Sequence, residues 1–357
     1  MVAQLILPDN IQVAPHAPLA YTPQFFDARK AYVAYEPDIE GALHEGFAYR
    51  KAQGKSFRPA SLLEKEGISN ALMLTDLQHD FRDFGRLPVK GTDDVVLRVV
   101  VRLLNGIIND YYTRIIYSQD GHVPFHISYG STWQMVRSGM QLDLRVHKAA
   151  VLNLVDRNRA VFQATAFAPD GTPVDLGEIR SLIEATDTVE YWDHLQATGQ
   201  GPIWVFANHC KLSTDGTNLH PLLAEALAFA EGARIMSPMP VNKGHIRGTD
   251  WFGPLEPCRP DPSHPQGSFQ KHIFDQLVGV RGQIEFSGVA EDFCDFNMKK
   301  QVLAHLNDSD VFQRIAFLTD GTAPIVPNTQ AVLDQNADAR RKGVKFFTHD
   351  EPFVLAA

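Results

Sequence analysis

The chain has 357 residues, 44% hydrophobic and 21% charged, with a net charge of −9, which suits one large globular domain with additions, or two domains. The acidic balance argues against nucleic acid as a partner, and no apolar run approaches the ~20 residues of a membrane span. The start, Met-Val-Ala-Gln, lacks the basic end and long apolar core of a signal peptide. The three cysteines, Cys210, Cys258 and Cys294, form no CxxC pair, so a cytoplasmic protein without disulfides is expected.

Residues 1–65 carry prolines at 8, 15, 18 and 23 and one helical stretch, 39–52, with Leu43, Phe47 and Ala48 on one face. They read as an N-terminal extension packed on a core or on a partner subunit. Residues 66–357 read as one α/β domain. Residues 71–76 form a short buried strand ending at Asp76, and 93–108 an amphipathic helix with Thr92 as its cap candidate. Residues 113–118 form a second strand, followed by Gln119-Asp120-Gly121-His122. Strand, helix, strand implies a crossover and a parallel sheet.

Residues 127–200 interrupt this alternation and read as an insertion. Segments 145–154 and 160–168 are strand-like, Pro169-Asp170-Gly171-Thr172 is a turn signal, and 176–197 has a helical pattern. The alternation then resumes with a strand over 202–208, a helix over 220–231 closed by Gly232, and a strand over 234–241. A helix over 269–278, a strand over 283–286, a helix over 292–307, a strand over 314–319 and a surface helix over 331–342 complete the chain. The expected fold is α/β: a doubly wound, mostly parallel six-stranded sheet with helices on both faces. Its ligand crevice lies at the carboxyl ends of the strands.

Chemistry collects at those ends. Asp76, Gln78, Asp80 and Phe81 follow the first strand; Asp120, His122 and His126 the second; Asn208, His209 and Cys210 the third; Lys243 the fourth; Cys294 the fifth. Cys294 falls in the first turn of a helix, where free N–H groups and the dipole favour a thiolate and so a nucleophile. The same position also suits a small residue packed between helix and sheet.

Five motifs stand in order: Thr-Asp-Leu-Gln-His-Asp-Phe at 75–81, Ser-Gln-Asp-Gly-His-Val-Pro-Phe-His at 118–126, Asn-His-Cys-Lys-Leu-Ser-Thr-Asp-Gly-Thr-Asn-Leu-His-Pro at 208–221, Asn-Lys-Gly at 242–244 and Ser-Gly-Val-Ala-Glu-Asp-Phe-Cys at 287–294. With them the chain resembles the isochorismatase-like cysteine hydrolases, and within them the nicotinamidases. The resemblance implies a catalytic Asp76, Lys243 and Cys294, and an oxyanion hole from the backbone N–H groups of Ala290 and Cys294, with a cis peptide between Val289 and Ala290. It implies a metal held by Asp120, His122 and His209, with His126 as a further residue of that site; zinc leads iron and manganese. Phe81, Phe206 and Val289 match substrate-binding positions. The implied activity is hydrolysis of nicotinamide to nicotinate and ammonia. A carbamoyl or ureido amidase without metal, and a silent binding relative, are the alternatives. Gly121 in place of an aromatic, Asp295 after the cysteine, the long insertion and the N-terminal extension depart from the family pattern. The insertion is expected to make subunit contacts, giving a homo-oligomer that acts on a small amide.

Overall fold

A computed structural model describes residues 7–8, 10–168, 171–306, 309–326 and 329–353. Pro169 and Asp170 of the expected turn, and Asn307 at the expected end of a helix, lie outside them.

In chain order the first strands are β1 (Asn70–Thr75) and β2 (Tyr112–Asp120). A run of five follows: β3 (Trp133–Met135), β4 (Ala149–Asp156), β5 (Val161–Phe167), β6 (Pro173–Ser181) and β7 (Ile203–Phe206). The last are β8 (Met239–Lys243), β9 (Ile284–Val289), β10 (Ile315–Ala323) and β11 (Lys345–Phe347). The central sheet has six parallel strands in the order β11-β10-β9-β1-β2-β8. Chain direction reverses about β1: β2 and β8 extend to one side, β9, β10 and β11 to the other. The loops leaving β1 and β9 therefore part and open a crevice at their carboxyl ends.

Helices cover both faces because the strand residues alternate. Leu72 and Leu74 of β1 join a core with Val96, Val100 and Leu103 of α3 (Thr92–Ile108) and Leu222 and Ala226 of α5 (Pro221–Arg234), α1, α2 and α4 being Ile39–Gln53, Ala60–Lys65 and Ala185–Ala197. Ala71 and Met73 point the other way, into a core with Leu277 of α6 (Lys271–Val278), Met298 of α7 (Cys294–His305) and Ala339 of α9, α8 and α9 being Ser309–Phe312 and Gln330–Arg341. The N-terminal extension packs on this core: α1 lies against α5 so closely that a Cβ at Gly232 would fall 2.4 Å from the Leu43 carbonyl oxygen.

Several boundaries differ from expectation, each for a physical reason. The 202–208 run is not a strand of the parallel sheet; β7 pairs antiparallel with β4, and β11 supplies the sixth parallel strand instead. Residues 176–181 are not helical. They belong to β6, hydrogen-bonded along β5, and only Ala185–Ala197 forms the helix. The first strand-like segment runs from Ala149 to Asp156, and the fourth expected strand starts at Met239 because α5 continues to Arg234. Gly232 therefore lies within α5, whose end is closed by Ile235 at φ 51°. Thr92 is the first residue of α3, with Gly91 before it at φ 92°, and its hydroxyl donates to the Val89 carbonyl rather than capping the helix.

The insertion forms its own antiparallel sheet, in the order β3-β6-β5-β4-β7. Trp133, Leu152, Phe162 and Ile179 pack there with Tyr191 and Leu195 of α4. Among the described residues no helix is long and apolar enough to cross a membrane.

Candidate active site

The parallel pairing brings the expected residues together. Asp120 and Lys243 are register partners at the ends of β2 and β8, and Thr75, next to Asp76, is level with Gly288 of β9. Asp76 sits at φ 50°, a left-handed conformation that aspartate tolerates better than most residues and that starts the turn out of β1. Gln78 ties this turn to the next loop: its amide accepts from the Asp120 N–H at 2.7 Å and donates to the Asp120 carbonyl at 2.8 Å.

Lys243 is 1% exposed and stands at the centre. Its Nζ lies 2.9 Å from Asp76 Oδ2, 2.9 Å from Asp120 Oδ1 and 3.4 Å from Cys294 Sγ. Burial opposes its charge, but Asp120, Asp76 and Cys294 together hold the ammonium well above its ordinary range. The other Asp76 oxygen accepts from the Ser118 hydroxyl at 2.6 Å. Burial raises the Asp76 carboxyl against the pull of Lys243. Cys294 opens α7, as expected, but burial pushes its thiol well above the ordinary range and Lys243 offsets this only in part. The helix start alone therefore does not yield a resting thiolate. The thiol faces the Asp76 carboxylate, which can take its proton.

Beside this group, Asp120, His122 and His209 bring one ligand atom each within 4.8 Å of one another, all buried. The imidazole Nε2 atoms of His122 and His209 lie 2.8 and 3.3 Å from Asp120 Oδ2. Their Nδ1 atoms meet the Gly244 and Ala207 carbonyls at 3.2 and 2.7 Å. A carbonyl accepting from Nδ1–H fixes a proton there, so that Nε2, which here faces the Asp120 carboxylate, is the atom each imidazole would offer a metal. Gly244 must be glycine: its φ is 85°, and a Cβ would fall 2.8 Å from His122 Nδ1. One carboxylate and two so-oriented imidazoles fit a divalent transition metal. His126 lies against His122, ring centroids 4.2 Å apart and tilted by 42°, with Nδ1 bonded to the Ser128 hydroxyl, and is not part of that three-residue cluster.

A narrow pocket opens onto Cys294, Lys243, Asp120 and the two imidazoles. Phe81 and Phe206 flank it, their rings 5.4 and 5.9 Å from that of His209. Ala290 lines the pocket, and the Val289–Ala290 peptide is cis. Val289 itself is fully buried and outside the lining.

The sequence reading passed over Ser118, Asp250, Phe252 and Phe293. Ser118 was legible as the penultimate inward position of its strand. Asp250, Phe252 and Phe293 come from loops, where no periodicity marks a pocket residue. Asp250 lines the pocket with Oδ1 accepting from the Trp251 N–H at 2.6 Å, while its buried Oδ2 has no hydrogen-bond partner.

No protein-family model and no curated protein sequence matches the chain. Among solved structures it is similar to the yeast nicotinamidase bound to the inhibitor nicotinaldehyde, at 12% identity and a TM-score of 0.47, covering 78% of this chain and 99% of that one. It is similar to an Acinetobacter baumanii nicotinamidase/pyrazinamidase at 14% identity and a TM-score of 0.43, covering 79% and 97%. A Pyrococcus horikoshii pyrazinamidase in complex with zinc gives 14% and 0.41, covering 78% and 98%. At these identities and TM-scores the likeness assigns no activity to this chain.

Proposed function

We propose that this chain is a metal-dependent cysteine amidohydrolase of the isochorismatase-like family, hydrolysing nicotinamide to nicotinate and ammonia. The observation that carries the reading is Lys243, whose buried ammonium touches both Asp76 and Cys294 in a pocket that also holds the Asp120–His122–His209 cluster.

Cys294 Sγ attacks the amide carbon as Asp76 takes the thiol proton, a base being needed because burial raises the thiol above its ordinary range. Lys243 favours the negative charge developing on sulfur and holds Asp76 in place. The carbonyl oxygen becomes an oxyanion, which the N–H groups of Ala290 and Cys294 receive. Asp76 then returns the proton to the nitrogen, the C–N bond breaks, ammonia leaves and a thioester remains. Water, losing its proton to Asp76, attacks the thioester, and the acid leaves as the thiol re-forms. Phe81 and Phe206 face the ring of the amide.

Asp120, His122 and His209 would hold zinc, or iron or manganese, which supplies a Lewis-acid anchor for the pyridine nitrogen. His126, lying against His122, supports that imidazole. The same reading takes the enzyme as a cytoplasmic homo-oligomer, checked by light scattering.

The test is ammonia release from nicotinamide by purified protein, with and without chelator, alongside elemental analysis. About one metal per chain and activity lost with it are expected. Full activity in metal-free protein would point to the carbamoyl or ureido class instead.

A further inference from the structure

The pocket is not the largest space near Cys294. A wider chamber, open to solvent, adjoins it between the insertion and α7. Phe167 of β5, Trp204 of β7 and Tyr191 and Leu195 of α4 form one wall; Phe296 and Asn297 of α7 form another. Trp204, Phe167 and Phe296 are partly buried, Trp204 packing on Phe167, Phe206 and Phe293, and each keeps some ring surface facing this space. Apolar surface kept in contact with water forgoes ~25 cal/mol per Å², which a bound apolar group would recover.

The chamber and the pocket share two residues, Phe252 and Phe293. The Phe293 ring stands edge-on to Trp204 and Phe206, both at 5.1 Å, and 5.7 Å from Phe252. The partition between the two spaces is thus one aromatic ring thick, and Phe293 immediately precedes the cysteine. Asp76 and Lys243, toward which the leaving nitrogen is directed, line no part of the chamber. The chamber adjoins the ring end of the pocket, beside Phe206.

Resting on the amidase reading above, we infer that the chamber is an acyl-side subsite, and that the substrates used best are aromatic carboxamides carrying an apolar arm on the ring, larger than nicotinamide. The arm reaches the chamber by turning the Phe293 ring away from Phe252, with which it is in contact at 5.7 Å, and packs against Phe167 and Trp204. The insertion then has a direct role, supplying the far wall of the substrate site.

The test compares nicotinamide, nicotinamide with a butyl group on a ring carbon, and N-butylnicotinamide. Binding is measured by calorimetry on the full-length C294A protein and turnover on the wild type. The ring-butyl amide is expected to bind C294A at least about tenfold more tightly than nicotinamide, since each buried methylene contributes severalfold. Phe167→Ala should cut that gain to about twofold while leaving kcat/KM for nicotinamide within about twofold. Ala331→Trp, which fills the chamber from its exposed rim, should do the same without opening a core position. Equal affinity for the ring-butyl amide and nicotinamide would overturn the inference. So would a gain confined to N-butylnicotinamide, which would place the leaving group in the chamber, or a gain that survives Ala331→Trp. Calorimetry on C294A does not depend on turnover. A wild type that releases neither ammonia from the two primary amides nor butylamine from N-butylnicotinamide would therefore overturn the amidase reading, while the affinities alone would decide the chamber.

Discussion

Asp76→Asn isolates the proton-transfer role from the structural one. Asp76 sits at φ 50°, and asparagine, unlike alanine, adopts that conformation readily. The amide keeps an acceptor for the Ser118 hydroxyl, now 2.6 Å from Oδ1. Lys243 does not become an unpaired buried cation, because Asp120 remains 2.9 Å from its Nζ. With its oxygen kept on Ser118, the amide turns its NH2 toward the Lys243 ammonium, so the ionic contact is lost, at an expected folding cost of about 3 kcal/mol, while Asp120 spares Lys243 the cost of an abandoned buried charge. The chemical cost is larger: with no base to take the thiol proton, kcat should fall by about 10²- to 10⁴-fold. Ammonia release gives kcat, urea unfolding gives the stability, and elemental analysis checks that metal content is unchanged. A variant that stays folded and keeps more than about a tenth of the wild-type kcat would refute the assignment of Asp76 as the base.

Other outcomes follow from the same packing. Arg102 bonds both oxygens of Glu285, at 2.9 and 2.8 Å, in the centre of the parallel sheet. Arg102→Met leaves that carboxylate without a counter-ion, held only by the Tyr111 and Tyr112 hydroxyls, and should lower stability by about 3 kcal/mol in urea unfolding, with the folded fraction still active. Burial lifts the Asp292 carboxyl from its ordinary 3.8 to about 6, so its contribution to stability is full below about pH 4 and is lost as pH rises through 6. Asp292→Asn keeps an acceptor for only one of the Ile325 and Val326 N–H groups but removes the titration, so the variant's stability should rise by roughly 2–3 kcal/mol relative to wild type as pH goes from 4 to 7, read from urea midpoints at each pH. His209→Ala should leave less than about a tenth of a metal per chain after purification, measured by elemental analysis.

How much of this was legible in the sequence depended on what each signal reports. Strand ends carrying Asp76, Asp120, Lys243 and Cys294 could be read because buried parallel strands are short apolar runs, and the residue after each run lies at one edge of the sheet. Whether a run joins that sheet could not. Ile203–Phe206 looks like any other buried strand, and its partner, β4, is chosen by register within the insertion. Residues 176–181 space Leu176 and Ile179 as a helix does, but Gly177 at φ 82° and the hydrogen bonds to β5 make them strand, a tertiary outcome that overrides the local pattern. Gly232 reads as a helix stop by residue type, whereas here it gives Leu43 of α1 room to approach. The chamber was invisible because its walls come from β5, β7, α4 and α7, elements far apart in sequence.

The central claim is that Cys294 is the nucleophile, and its most direct test is the rate of ammonia release from nicotinamide by Cys294→Ala, with wild-type metal content and unfolding midpoint confirmed on the same preparation. The account predicts a loss of at least ~10³-fold, because no other cysteine lies in the pocket lining. Release at more than about a tenth of the wild-type rate would contradict it.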